Sequence, residues 1–208
     1  MLMDNLFEEI SSGYGNKKVK SLCNKLGKKL SFKNMGDVEN LCHLAYWLYI
    51  LGKKEMAKKC IALTHSIQFD GNYNVWTFIH SMWGLEIRIL REEDKHNEAD
   101  VMCAAIDRHT LTPNAKTNET PEECKRREMQ RRSNFVLGIH PDKTMEVSNR
   151  REVERAIAEG DLKSANVWRF LALLHLIGDT ETGLFPDLNK DKNKIEAIIK
   201  DYIQKILG

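Results

Sequence analysis

Residues 41–51 read LCHLAYWLYIL, and His43 is the only strongly polar side chain among them. The run is too long for an ordinary strand and lies between Asp37, a good helix N-cap, and Gly52, a residue suited to the left-handed turn that ends a helix. A helix apolar nearly all round must be covered on every side, so the run predicts a central helix with others packed around it. Lys53 to about Gln68 follows as an amphipathic helix. Met56, Ala57, Cys60, Ile61, Leu63 and Thr64 face inward there, and Lys53, Lys54, Lys58 and Lys59 outward.

The same reading extends along the chain. Helices are expected near 3–10, over 17–30 on the stripe Val19, Leu22, Cys23, Leu26 and Leu30, and over 75–91. Another follows the polar turn REEDKHN. Thr120, Pro121 and Glu123 form a capping-box start, and Asn149 with Glu152 forms another, ended by Gly160. A nearly all-apolar helix is expected over 163–177 and an amphipathic one over 191–207. The expectation is an all-α irregular stack or bundle of about nine to ten helices, with NFVLGI at 134–139 the one place for a short strand. It forms a single domain over 1–208, with a sub-division where TLTPNAKTNETP, 110–121, interrupts the helices.

Charge and cysteine usage narrow the class. A net charge of +2 with 30% charged residues argues against a global electrostatic nucleic-acid binder, without excluding a local basic patch. The five cysteines, an odd number with no CxxC pair, read as free thiols of a reducing compartment. Neither the pairing Cys42–His43 nor Cys60–His65 has structural zinc spacing, so no metal and no cofactor is expected. The acidic N-terminus lacks a signal peptide's pattern and no apolar run is long enough to span a membrane, which gives a cytoplasmic address by default.

Residues 44–63, LAYWLYILGKKEMAKKCIAL, resemble the helix–turn–helix unit of tetratricopeptide (TPR) repeats through Ala45, Trp47, Tyr49, Leu51, Gly52, Glu55 and Ala57. The resemblance implies small residues where paired helices approach, and a glycine that turns the chain. LLHLIGDTETG at 173–183 echoes it with Gly178 in the place of Gly52, and residues 87–103 echo it more loosely, with Glu98 and Ala99 and one residue short. The copies keep no regular 34-residue period and lack the closing proline. A repeat stack implies a groove that binds another protein, with Trp47, Trp76 and Trp83 as candidate binding residues.

Four features carry candidate chemistry. HPDK at 140–143 resembles the His-Pro-Asp loop of J-domain co-chaperones, but the aromatic-rich opening of that family is missing. The pairs Arg91/His96 and Arg169/His175 have the spacing of HEPN ribonucleases, all-α enzymes in which the two side chains act on the RNA phosphodiester. The usual polar residue after the arginine is absent at Arg169, where Phe170 follows, and Glu92 after Arg91 would put an acid beside a phosphate site. Glu86 and Arg88 interrupt an apolar helix, and being two apart they require partners elsewhere, with Arg169 a candidate for Glu86. In CKRREMQRR, Glu122, Glu123 and Glu128 precede Arg126, Arg127 and Arg132 by four residues, the order of a solvated helix face. The favoured expectation is a non-catalytic interaction module, an adaptor or an immunity- or antitoxin-like partner of another protein. A metal-independent ribonuclease or nucleic-acid binder is the alternative. The oligomeric state is left open.

Overall fold

The computed structural model of the chain describes residues 2–14, 16–110, 120–136, 147–180, 190 and 192–208. These form ten helices and, among the described residues, no strand: the chain is all-α. The helices are α1 (Leu2–Gly13), α2 (Lys17–Leu26), α3 (Met35–Ile50), α4 (Lys54–Ala62), α5 (Tyr73–Glu92), α6 (His96–Thr110), α7 (Pro121–Val136), α8 (Val147–Ala158), α9 (Leu162–Thr180) and α10 (Lys192–Leu207). The division expected at 110–121 falls on residues 111–119, outside the described residues.

Most helix ends follow the local chemistry, with five corrections. α2 ends at Leu26 rather than Leu30, and Asn149 lies inside α8 rather than starting it. The other three concern α3, α4 and NFVLGI. The N-cap of α3 is Asn34, whose side chain accepts from the Asp37 N–H. Asp37 sits in the first turn instead, and its carboxylate reaches back to the Ser31 N–H at 3.0 Å. α4 stops at Ala62 rather than near Gln68. The buried Thr64 hydroxyl takes the Ile61 carbonyl at 2.7 Å, and Leu63 and Thr64 donate backward by three residues, which tightens the chain out of the α-helix. In NFVLGI, Asn134, Phe135 and Val136 are helical, and 137–139 lie outside the described residues. The capping box at α7 forms as read. The Thr120 N–H meets Glu123 Oε2 at 2.8 Å, and the Glu123 N–H meets Thr120 Oγ1 at 3.2 Å. These bonds hold the Glu123 carboxyl below its usual range, so it serves the cap rather than the expected pairing with Arg127.

Contacts group the helices into two units, Met1–Met82 and Trp83–Gly208, with the boundary inside α5. In the first unit α1 packs on α2, α2 on α3, and α3 on α4. Leu41 to Ile50 of α3 are buried without interruption, as a central helix requires. The Tyr46 hydroxyl donates to the Ser81 carbonyl on α5 at 2.9 Å, which satisfies the polar end of a fully buried ring. In the second unit α9 plays the central part, packing on α10, α8 and α6. Its buried residues include Val167, Trp168, Phe170, Leu171, Leu173 and Leu174.

Three of the connections share one backbone design. Gly52, Asp94 and Gly160 have φ of 75°, 60° and 73°. Each is followed by a residue whose N–H reaches five back along the chain: Lys53 to Leu48, Lys95 to Leu90, and Asp161 to Ala156. Each left-handed residue also donates three back, to Tyr49, Arg91 and Ile157. These paired bonds are the Schellman motif, and they satisfy carbonyls that a helix end would otherwise leave open. Gly178, expected to turn the chain as Gly52 does, lies inside α9 instead. An isolated glycine costs a helix about 1 kcal/mol relative to alanine, which does not by itself end it.

Equivalent turn positions should respond to substitution with opposite sign. A Cβ at Gly52 or Gly160 would meet nothing within 4 Å, so the cost there is purely conformational. Gly52→Ala and Gly160→Ala should each lower stability by about 1 kcal/mol, and Asp94→Gly should raise it by about 0.5 kcal/mol. Urea unfolding of the three variants is the check. A loss in Asp94→Gly would show that its carboxylate, not its backbone, makes the turn.

Candidate functional site

The shared turns set a shared register. Five residues after each left-handed position stands an alanine, Ala57, Ala99 and Ala165, and all three are completely buried. Seven residues before each stands another buried side chain, Ala45, Ile87 and Val153. The result is three helical hairpins, α3–α4, α5–α6 and α8–α9, closed by three-residue links with a small buried side chain at one register. In the stretch 87–103 Asp94 stands in the glycine's place and Ala99 in that of Ala57, while Asn97, not Glu98, takes the position of Glu55. The copy at Gly160 escapes a search guided by LG-type turns, since its flank reads IAEGDLKSA.

Inside α5 one buried arginine is held by charge. Arg88 is buried, and its Nε lies 3.1 Å from Glu92 Oε1 while its Nη1 donates to Glu196 Oε1 of α10 at 2.8 Å. One guanidinium thus ties two helices 108 residues apart in sequence. Glu86 is also buried, at 8% exposure. Its suggested partner Arg169 is half-buried on α9 and donates from Nη1 to Asn166 Oδ1 at 3.2 Å.

Of the two ribonuclease-like pairs, the structure brings one together. Arg91 Nη1 lies 3.2 Å from His96 Nδ1 and 3.3 Å from the His96 carbonyl. Its other terminal nitrogen is held by Asp100 of α6, and Asp94 stands 3.8 Å from His96 Nε2. The guanidinium braces the α5–α6 turn, with Asp100 on the guanidinium and Asp94 beside the imidazole. Arg169 and His175 both lie on α9, six residues apart, which places them about 120° from each other around the helix axis. The His175 side chain and HPDK at 140–143 lie outside the described residues.

The candidate tryptophans are packed. Trp47, Trp76 and Trp83 are 6%, 1% and 8% exposed. Trp76 meets Phe69 edge-on at 5.2 Å between ring centres and lies 5.4 Å from His80. Trp83 lies 6.0 Å from His109 across the α5–α6 hairpin. The Trp47 indole N–H is buried and meets no acceptor among the described residues, a state that costs about 1–3 kcal/mol. All five cysteines are buried free thiols. Burial pushes Cys23 up to about 11 and Cys42 well above its usual value, so neither offers a thiolate.

A feature absent from the sequence expectations lies on α2. Lys17, Lys20, Ser21, Asn24, Lys25 and Lys28 line an open groove along its outer side. Between Glu9 and Asp37 the chain has seven lysines and no acidic residue. A sliding count of charge sign would have found this run. Reading α2 only for its apolar stripe passed over it.

Fold and turns together define an all-α protein assembled from short helical hairpins on a common turn. The chain belongs to a family of unknown function, DUF6707, whose model matches residues 2–207. No curated protein and no solved structure matches it significantly. Among the described residues no helix is long and apolar enough to cross a membrane.

Two outcomes follow from the charges. Arg88→Met leaves two partly exposed carboxylates without their shared cation and should cost about 2 kcal/mol in urea unfolding. Combined with Glu196→Gln in a double-mutant cycle, it should show a coupling of about 1 kcal/mol, and additive losses would mean the bond contributes nothing. His109 has its pKa lowered, first by burial beside Trp83 and then by Arg108. Its unfolded value is near 6.5. The folded state therefore binds the proton less readily, and this contribution is whole above about pH 6.5 and lost as pH falls through the lower folded-state value. Stability measured between about pH 8 and 5 should fall less steeply in His109→Gln than in the parent.

Proposed function

We propose that the chain is a non-catalytic binding module, TPR-like in its hairpins, that takes another protein as partner in the manner of an adaptor or an immunity- or antitoxin-like protein. The observation that carries the reading is the repetition of one device. Three hairpins use the same left-handed turn and the same buried alanine five residues on. A repeated register gives each hairpin an equivalent face, and helical stacks use such faces to bind other chains. Five buried thiols fit the cytoplasmic, reducing setting that this reading includes.

The ribonuclease alternative draws on the 3.2 Å approach of Arg91 to His96. Asp94 and Asp100 beside that pair would repel a phosphate, which weighs against it. Tagged full-length chain captured from lysate of its own source, with and without nuclease, separates the two readings. The binding module predicts a stoichiometric protein that survives nuclease, is identified by mass spectrometry and rebinds when purified. Loss of every protein on nuclease treatment, together with RNA cleavage by the purified chain that His96→Ala abolishes, would establish the alternative.

A further inference from the structure

We propose that the outer face of α2 binds the phosphate backbone of a nucleic-acid duplex without reading its sequence, a role independent of the hairpin reading above. The face is opposite the core. Val19, Leu22, Cys23 and Leu26 are the buried stripe of α2. At about 100° per residue, Lys17, Lys20, Ser21, Asn24, Lys25 and Lys28 gather within an arc of roughly 140° centred on the other side and extend over about 16 Å. All six are exposed. Lys29 and Lys33 are exposed just beyond the helix, and Lys18 is half-buried beside it.

None of these seven lysines forms an ion pair with a described residue. Some lysines of other helices are paired. Lys58 pairs with Glu55, Lys59 with Glu9, and Lys205 with Asp201. The cause is in the sequence: with no acid from residue 10 to 36, no neighbour three or four residues away on α2 can neutralise them.

The composition of the face selects its partner. Lysine, serine and asparagine are donors of the kind that position phosphates, and lysine meets phosphate as a point charge. Lysine and serine are depleted from protein–protein interfaces, and the arginine and aromatic anchors of such interfaces are absent from this face. A membrane surface is the weaker match, because the apolar side of α2 is spent on the core and the lysine side has nothing to insert. Without an aromatic ring there is no platform for unstacked bases, so a duplex fits better than a single strand. Lysine contacts to phosphate dominate such a face and carry no sequence information, so binding is insensitive to sequence.

The test is fluorescence anisotropy of the full chain with short labelled DNA and RNA duplexes of scrambled sequence. Four phosphate contacts give a slope of about −3.6 in log K against log salt, which is a fall of about a hundredfold between 50 and 200 mM. The variant Lys17→Ser/Lys20→Ser/Lys25→Ser/Lys28→Ser, at exposed positions and checked for unchanged helicity by circular dichroism, should lose at least tenfold in affinity and most of that slope. Removing Lys192, Lys194, Lys200 and Lys205 of α10 in the same way should change little. The proposal is overturned if neither duplex binds at low salt, or if binding survives the α2 variant or is lost equally in the α10 one. It is also overturned if the α2 lysines instead mediate binding only to phosphatidylserine vesicles, which would make the face a membrane contact, or only to polyglutamate, which would make it a site for an acidic protein.

Discussion

The burial of α3 on every side is the constraint from which the first unit follows. Each large apolar side chain removed from water there contributes about 1.5–3 kcal/mol. The contribution is realised only if other helices surround the element completely. α2 and α4 pack against it directly, and α5 supplies the acceptor for Tyr46. A left-handed residue at Gly52 makes a reversal within three residues affordable in backbone energy, so α4 returns along the helix it must cover. The second unit repeats the logic with α9, and there the turn at Gly160 precedes the central helix rather than following it. Two all-round apolar helices in one chain need two sets of cover, which is the physical content of the division into two units.

Much of this was legible in the residues. The apolar run 41–51, the capping box at Thr120 and the turns at Gly52 and Gly160 are local chemistry, and local chemistry is what a sequence displays directly. The failures are equally specific. Asp94 turns the chain without being glycine, and aspartate, though one of the side chains that tolerate a left-handed backbone, signals it far less strongly than glycine does. Gly178 looks like a turn and lies inside α9, because a single glycine only weakens a helix and does not oblige it to end. Asp37 lost the capping position to Asn34 because its carboxylate found the Ser31 N–H, a competition between two good caps three residues apart. The partner of Arg88 on α10 is 108 residues away, and spacing rules carry no information at that range.

The candidate residues show how structure sorts similar side chains by what already holds them. Arg91 and His96 meet, and the same geometry surrounds them with Asp94 and Asp100. Trp76 and Trp83 share their ring faces with neighbours, while Trp47 keeps a buried indole N–H without an acceptor among the described residues. Spacing in the sequence found these residues. Their occupancy by carboxylates and neighbouring rings decides what chemistry is left to them.

Charge is distributed unevenly in a way that net charge conceals. The first 82 residues hold eleven lysines, seven acids and no arginine, and every arginine of the chain lies at or beyond Arg88. Arginine accordingly appears where carboxylates are engaged across elements, as at Arg88 and Arg91, and its planar fork suits that use. The lysines of α2 are placed at a disadvantage to the helix itself. Lys17, Lys18 and Lys20 crowd the positive end of the dipole, the first turn has no acid, and Lys17 stands three residues from Lys20. Each such arrangement costs a few tenths of a kcal/mol, and together they oppose α2 by about 1 kcal/mol. A ten-residue helix is too short to form by its own propensity, so it is the burial of Val19, Leu22, Cys23 and Leu26 against α1 and α3 that holds it against this repulsion. The core thereby carries an uncompensated cationic surface, and an anion bound along that face would relieve the repulsion and stabilise the helix that presents it.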